Sequence, residues 1–367
     1  MNESEKYPVL EVDLGAIRTN SLVMNREMRK LGLSVCGVIK VTDCNLAVVK
    51  AYHDGGCSEI GSSRIRHLKR IKEAYPEIRT LLLRIPMLSE AADAVRYADI
   101  SLNSEAETLK KLNCEAKKAG VSHSVILMVD VGDRREGTAS VEELLELGRI
   151  AEKSENLHLL GIGTNYGCVS GVVPDAENLA FLQECCDALE RELGRKLEIV
   201  SGGNSTLLTW ILSGKPLPAC INHIRTGGTV INPLNMKRNR GLMVAGETVD
   251  TVKLTAEVVE VKVKPSVVGG HVGMNWKGEE VTFPDQGDRK RAILALGSMD
   301  VGDCFNLIPM EAGIDLIACS SDHTVLDVTD AHRDIRVGDT MSFSLKYSGL
   351  LYAFSTKQVR IAYTDPF

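Results

Sequence analysis

The sequence predicts an α/β protein: a (β/α)8, TIM-like barrel over residues 1–236, followed by an all-β domain over 237–367. Three observations carry this. Strand-like and helix-like segments alternate about eight times within the first ~230 residues, the repeat and size of such a barrel. After about Met236 helical periodicity gives way to β-type runs separated by turn residues. Polar and glycine-rich groups recur at the ends of the expected barrel strands, the rim where barrel active sites are built. A doubly wound sheet shares the alternation, and strand counting does not exclude it.

In order, Val9–Val12 reads as a short strand, with Asp13 capping a helix from Leu14 to Leu33. Ser34–Val41 is an apolar strand built on Val35, Val38, Ile39 and Val41, with Lys40 near its end. A helix from Asn45 to Asp54 follows. Next come strand Ser58–Ser62, helix Arg64–Tyr75, and strand Thr80–Pro86, which Pro86 ends for want of an N–H. Helix Ser89–Tyr97, strand Asp99–Leu102 and helix Glu105–Ala119 continue the series. Strand Val125–Val131 runs into the loop Gly132–Gly137, which carries Arg135. Helix Val141–Ser154 and strand Leu157–Gly163, ending in Thr164-Asn165-Tyr166, come next. Helix Asp175–Leu193 precedes strand Leu197–Val200, which ends in Ser201-Gly202-Gly203-Asn204-Ser205. Helix Thr206–Ser213 and strand Ile221–Ile224 close the series in Arg225-Thr226-Gly227-Gly228. Lys237–Gly241 reads as a polar connector. The β-type runs beyond it are Lys253–Val263, Ala292–Leu296, Leu316–Cys319, Thr324–Val328, Thr340–Leu345 and Val359–Tyr363.

At 367 residues the chain is too long for one ordinary core and comfortable for two. Its net charge of −6, with no Lys/Arg-rich run, argues against nucleic acid or an anionic membrane as partner. No apolar run approaches the roughly 20 residues that span a bilayer. Met1–Lys6 is polar and acidic, unlike a secretory signal. The ten cysteines are scattered, with no CxxC pair and no Cys/His spacing of a metal site. That usage suits a reducing cytoplasm and predicts neither a disulfide framework nor a metal.

A lysine amine at the end of an apolar strand is partly desolvated, which lowers its pKa and frees it as a nucleophile. Lys40 is therefore either a Schiff-base lysine or a lysine that snorkels to solvent. Ser201 to Ser205 and Gly227-Gly228 have the composition of anion cradles, exposing backbone N–H groups beside hydroxyl and amide side chains. Ordinary turn chemistry, with Ser205 as a cap, is the alternative. Their late position favours phosphate, because barrel phosphate sites follow the last strands. Arg135 is read as a solvated loop charge or a site group, Arg225 as a buried cofactor-facing or structural guanidinium, and Asn165 as a site or turn residue.

A lysine amine, a phosphate cradle and an arginine on one barrel rim suggest pyridoxal 5′-phosphate (PLP). Over nearly its whole length the chain resembles the alanine racemase-like PLP enzymes, most closely the ornithine racemase branch. The resemblance rests on Gly37–Val41, Leu127–Asp133 with Arg135–Gly137, Gly161–Asn165, Ile199–Ser205, Ile221–Arg225, and Ser320–His323 with Asp327–Asp330. It implies that Lys40 carries PLP and that Arg225 contacts the pyridine nitrogen. It also implies that Asn204, Ser205 and Gly227 hold the phosphate and that Arg135 lies near the ring hydroxyl. Thr226-Gly227-Gly228-Thr229 departs from relatives that carry a glutamate there, and Asn232–Gly241 is unusual too.

The resemblance implies a cytoplasmic homodimeric racemase, each site completed by the partner's β domain, with ornithine or a similar basic amino acid as substrate. Its relatives take a second base from a tyrosine early in the β domain. Here Met274 falls at that position, and a thioether cannot carry a proton. Asp322 and His323 are the substitutes expected, ahead of Cys319 and Asp300, because an imidazole titrates near neutrality; the alternative is that both only shape a turn. Three rivals stand: an alanine or broad-specificity racemase, a PLP decarboxylase or lyase on the same scaffold, and a PLP-binding homeostasis protein without turnover. The last usually lacks a β domain of this size.

Overall fold

In the computed structural model, residues 6–249 and 251–364 are described; residues 1–5, part of the segment read for a signal, lie outside them. The chain forms two compact units, one of residues 15–249 and one that joins 1–14 to 250–367. This differs from the expected division at 236/237 at both ends. Strand β1 (Val9–Asp13) is not a barrel strand. It pairs antiparallel with β10 (Val252–Pro265) and parallel with β16 (Arg360–Thr364). A short alternating strand fits either kind of sheet, and its partner is set by distant segments that alternation does not encode. The polar stretch at Lys237 is the end of a helix, Pro233–Arg240, not a connector. Asn232 caps it, Pro233 opens it and Gly241 ends it, so a surface helix with almost no apolar face passes for a linker in sequence.

The barrel closes from β2 (Ser34–Val38) through β3 (Glu59–Ser62), β4 (Thr80–Leu82), β5 (Ile100–Asn103), β6 (His123–Met128), β7 (Leu157–Gly163) and β8 (Ile199–Ser201) to β9 (His223–Thr226). β9 returns to β2 in parallel register, Ser34 opposite His223 and Gly37 opposite Thr226. All eight strands are parallel, which settles the choice against a doubly wound sheet. Cys36, Leu81, Ile100, Leu102, Ile126, Met128 and Leu160 pack into one buried cluster, so the barrel is a core and not a pore.

His123, at the start of β6, is buried and shares a 2.8 Å hydrogen bond with Ser101 Oγ. Burial lowers its pKa to about 4, against a weaker opposing pull from Asp99. The unfolded chain therefore binds more protons below about 6.5, and this part of the stability is lost as pH falls from there toward 4. Denaturant midpoints at pH 7 and pH 4.5 should show a loss about 2 kcal/mol smaller in His123→Gln than in the parent. Equal losses would mean that His123 titrates alike in both states.

The second unit is a sheet of order β12–β15–β10–β11–β14–β13, with β1 paired to β10 and β16 paired to the far edge of β1. Its remaining strands are β11 (Asp288–Leu294), β12 (Leu307–Pro309), β13 (Asp315–Cys319), β14 (Thr324–Asp327) and β15 (Thr340–Leu345). β10 is long enough to serve both halves: Leu254–Glu257 pair with β15, and Val258 onward pairs with β11, with a register shift between Val258 and Glu260. Leu254, Ala256, Val258, Leu294, Leu326, Met341 and Phe343 are buried. The unit also holds a nine-residue helix, Tyr347–Ser355, where no helical pattern was expected. Among the described residues no helix is long and apolar enough to cross a membrane.

Candidate active site

Lys40 does not end a strand that runs to Val41. β2 stops at Val38, and Lys40 opens a single 3-10 turn, Lys40–Thr42. Ile39 N–H still donates to the Gly61 carbonyl of β3, at 3.0 Å. Thr42 then donates both its N–H and its Oγ1 hydroxyl to the Ile39 carbonyl, at 3.2 and 2.9 Å, which pulls the chain round. Ile39 and Val41 remain buried, so the apolar signal was real, but it marked a turn packed on the barrel end. The Lys40 side chain reaches solvent while protein atoms crowd its amine. That desolvation lowers its pKa; Arg135 and Arg225 add to the fall, and Cys168 and Glu136 oppose it.

Arg225, on β9, is buried. Its guanidinium donates to Ser201 Oγ at the end of β8 and to the Thr164 carbonyl just past β7. Burial lowers its pKa, and the charge of Arg135 acts in the same direction. Arg225 thus ties three strand ends together while keeping a positive charge inside the rim. Arg135 is held by both carboxylate oxygens of its neighbour Glu136. Burial would lower the Arg135 pKa, but the pair with Glu136 outweighs it and raises it.

The two glycine-rich loops meet. Ser205 Oγ and Thr226 Oγ1 lie 2.8 Å apart, and Thr226 Oγ1 also bonds Thr229 Oγ1. Gly203 has φ +114, and a Cβ there would stand 2.9 Å from the Tyr166 ring. Gly227 packs its backbone on β2: a Cβ would lie 2.0 Å from the Val38 carbonyl oxygen. A helical turn, Gly228–Ile231, starts directly after it. Asn204 spends its side chain inside the loop, accepting from Thr206 N–H at 3.0 Å and donating to the Tyr166 carbonyl at 2.7 Å.

Asn165 donates to Asp133 Oδ2 at 3.2 Å. Asp133 organises this side of the rim. Its buried carboxylate also accepts the backbone N–H groups of Cys168, Val169 and Ser170 and the Ser170 hydroxyl. Burial works against that carboxylate, yet the bonds from residues 168–170 lower its pKa. The sequence reading missed Asp133, Glu136 and Cys168. Only the first two carried a visible signal, two carboxylates in a rim loop beside a candidate arginine.

Lys40, Arg135, Ser201, Ser205, Arg225, Gly227 and Gly228 therefore stand on one rim. Asp322 and His323 belong to the other unit, on the exposed turn between β13 and β14. Ser321 Oγ donates to Asp322 Oδ2 at 2.6 Å, and His323 N–H donates to Ser320 Oγ at 3.2 Å. Asp300 is buried beside this turn; burial raises its pKa, and the nearby Asp322 charge adds to the rise. Met274 is exposed.

Residues 12–231 match the family described as alanine racemase, N-terminal domain. The chain is 37% identical over 353 residues to the ornithine racemase of Acetoanaerobium sticklandii, covering 96% of this chain and 98% of that one. It is 36% identical over 360 residues to the lysine racemase of Thermotoga maritima, covering 97% and 98%. Among solved structures, an alanine racemase from a D-cycloserine-producing Streptomyces lavendulae superposes with a TM-score of 0.75. The match covers 100% of this chain and 99% of that one at 17% identity, a likeness of fold. Matched in both units and along almost all its length, the chain belongs to the alanine racemase family.

Proposed function

We propose that this chain, an amino-acid racemase by family, binds PLP through Lys40 and interconverts the enantiomers of a basic amino acid such as ornithine or lysine. The observation that carries the cofactor is the Lys40 amine, desolvated and lowered in pKa on a rim it shares with a buried guanidinium and two joined hydroxyl-bearing loops. The residues fit the group. A neutral amine suits an aldehyde, Ser205 and the Gly227–Gly228 turn suit a phosphate, and Arg225 suits an unprotonated ring nitrogen. The substrate class rests on the two relatives named above.

When bound, PLP would supply an electron sink for the pair left at Cα as its proton is removed. Lys40 would hold the cofactor and serve as the base on its own face of Cα, and its lowered pKa favours the neutral amine that both tasks need. The buried Arg225 guanidinium would face the ring nitrogen and disfavour a proton there, which would limit side reactions such as transamination. Arg135, oriented by Glu136, would lie near the ring hydroxyl. Ser201 holds the Arg225 guanidinium, Asn165 supports the rim through Asp133, and Asn204 shapes the phosphate loop. Lowering and reusing one amine explains only one face of Cα. His323, oriented or replaced by Asp322, supplies the other from the second copy of a homodimer. The setting is a reducing cytoplasm, in keeping with ten free cysteines.

Chiral chromatography tests the substrate class. With PLP present, kcat/KM for ornithine or lysine should exceed that for alanine by about tenfold or more, the discrimination a few side-chain contacts can give. Activity on alanine alone would overturn the basic-substrate reading. For the second base, His323→Asn should lose racemisation in deuterated water yet still exchange the Cα proton that Lys40 removes. Full racemisation in both directions would remove His323 from the role and leave Asp322 to be tested.

A further inference from the structure

The turn that carries Lys40 is followed by two residues in left-handed backbone conformation, Asp43 with φ 44 and Cys44 with φ 56. Neither is glycine, so both hold a conformation that L side chains visit at a cost. Such a pair persists only where its surroundings over-determine it, and here the surroundings are specific. Asp43 Oδ1 stands 2.9 Å from His67 Nε2 and 3.2 Å from Arg66 Nη2. Arg70 donates to the Asp43 carbonyl at 3.2 Å, and the Cys44 thiol donates to the His67 carbonyl at 3.3 Å. On its other side, His67 Nδ1 lies 2.9 Å from Ser62 Oγ, the last residue of β3.

His67, Ser62 and Cys44 are buried, whereas the Asp43 side chain is partly exposed. An ionised carboxylate can only accept, so His67 carries its proton on Nε2. The neutral ring then accepts the Ser62 hydroxyl at Nδ1. Burial lowers the His67 pKa, partly offset by Asp43, which agrees with the neutral form. The arrangement copies a Ser-His-Asp relay in outline. Ser62 is fully buried, however, so no substrate reaches its hydroxyl, and the relay has no nucleophile to activate. What it does reach is the strained pair next to Lys40.

We propose that His67 is a positioning residue: through its Nε2–H bond to Asp43 it pins the left-handed pair, and thereby holds the Lys40 turn with its amine crowded at the barrel rim. The inference rests on Lys40 being the reactive lysine of the proposed function. Removing the clamp lets Asp43–Cys44 relax and the Lys40 side chain swing into water, where its pKa returns toward that of an ordinary lysine.

The test reads the amine itself, on the full chain without cofactor, by trace acetylation with acetic anhydride at pH 8. The rate at Lys40 is compared with that at the exposed Lys357 in the same sample. His67→Leu and Asp43→Ala should each slow Lys40 relative to Lys357 by about fivefold, the scale expected for a pKa rise approaching one unit. His67→Gln, whose amide nitrogen reaches about where Nε2 stood, should restore most of the rate. Circular dichroism establishes that each variant is folded. Should His67→Leu fail to fold, Asp43→Ala, altered at a partly exposed position, carries the test. A folded Asp43→Ala protein whose Lys40 labels at the parent rate would overturn the proposal. Because labelling needs no cofactor, a parent protein that binds no PLP would sink the proposed function without touching this result.

Discussion

Lys40→Ala should be colourless with added PLP, should retain no cofactor after borohydride treatment, and should lose racemisation by about four orders of magnitude, the upper range for a positioned acid–base group. The parent protein should be yellow, and borohydride should fix the cofactor to the Lys40 peptide. The size of the expected loss follows from the double duty assigned to one amine: it anchors the cofactor and it moves the Cα proton. The fold should survive. The Lys40 side chain reaches solvent, and the turn around it is held by Ile39, Thr42 and Asp43 rather than by the ammonium. The change in unfolding free energy should thus stay near the ±0.5 kcal/mol or so typical of surface substitutions. A folded Lys40→Ala protein with full activity would end the assignment.

The largest effect on stability is expected from Gly227→Ala. The added methyl would stand 2.0 Å from the Val38 carbonyl oxygen and 2.9 Å from the Val38 carbonyl carbon, and these are backbone atoms with no rotamer to offer. One of the two adjacent strands must move. β2 leads into the Lys40 turn, and β9 bears Arg225. Tyr52 also fixes this point, its hydroxyl donating to the Gly227 carbonyl at 2.7 Å. Overpacking of this kind costs about 3 kcal/mol, which for a unit of this size lowers Tm by roughly 6 to 12 °C. Affinity for PLP should fall with it, since the phosphate loop and the lysine turn shift together. A Gly227→Ala protein with parental Tm and affinity would show that the loop yields freely and does not set the distance between β2 and β9.

The sequence leaves Arg225 as cofactor-facing or structural, and the fold gives it a structural task whatever it does for the ring. Its guanidinium is buried and bridges Ser201 and the Thr164 carbonyl. A carboxylate in its place would face a carbonyl in a site that excludes water, so Arg225→Glu should cost stability as well as change reaction partitioning.

Legibility in the sequence followed the strength of each local signal. The barrel strands are short apolar runs ended by glycine, proline or charge, and the rim residues Lys40, Arg225, Ser201–Ser205 and Gly227–Gly228 stand at those ends. Both kinds of signal are local, and both were readable. Where pairing is set by distant segments, pattern gave no purchase: Val9–Val12 alternates as well for one sheet as for another. The helix at Pro233 was hidden by its polar faces. The 3-10 turn at Lys40 was hidden by Ile39 and Val41, which are β-formers held in a turn by packing. His67 and Asp43 lie 24 residues apart and resemble any surface histidine and aspartate until the fold sets them 2.9 Å apart.

Strand β1 imposes an order of events on synthesis. Barrel strands β2 to β9 each find a neighbour soon after they are made. β1 leaves the ribosome before them all, yet its partners are Val252–Thr255 and Arg360–Thr364. For the whole time in which the barrel is made, Val9, Leu10 and Val12, buried in the finished sheet, have no place to go. A nascent chain in that state carries a sticky apolar strand with open hydrogen-bonding edges, a ready target for chaperones or for the same strand on a neighbouring polysome. A fragment of residues 15–249 should accordingly be more soluble than one of residues 1–249, although the longer fragment holds more of the native sequence.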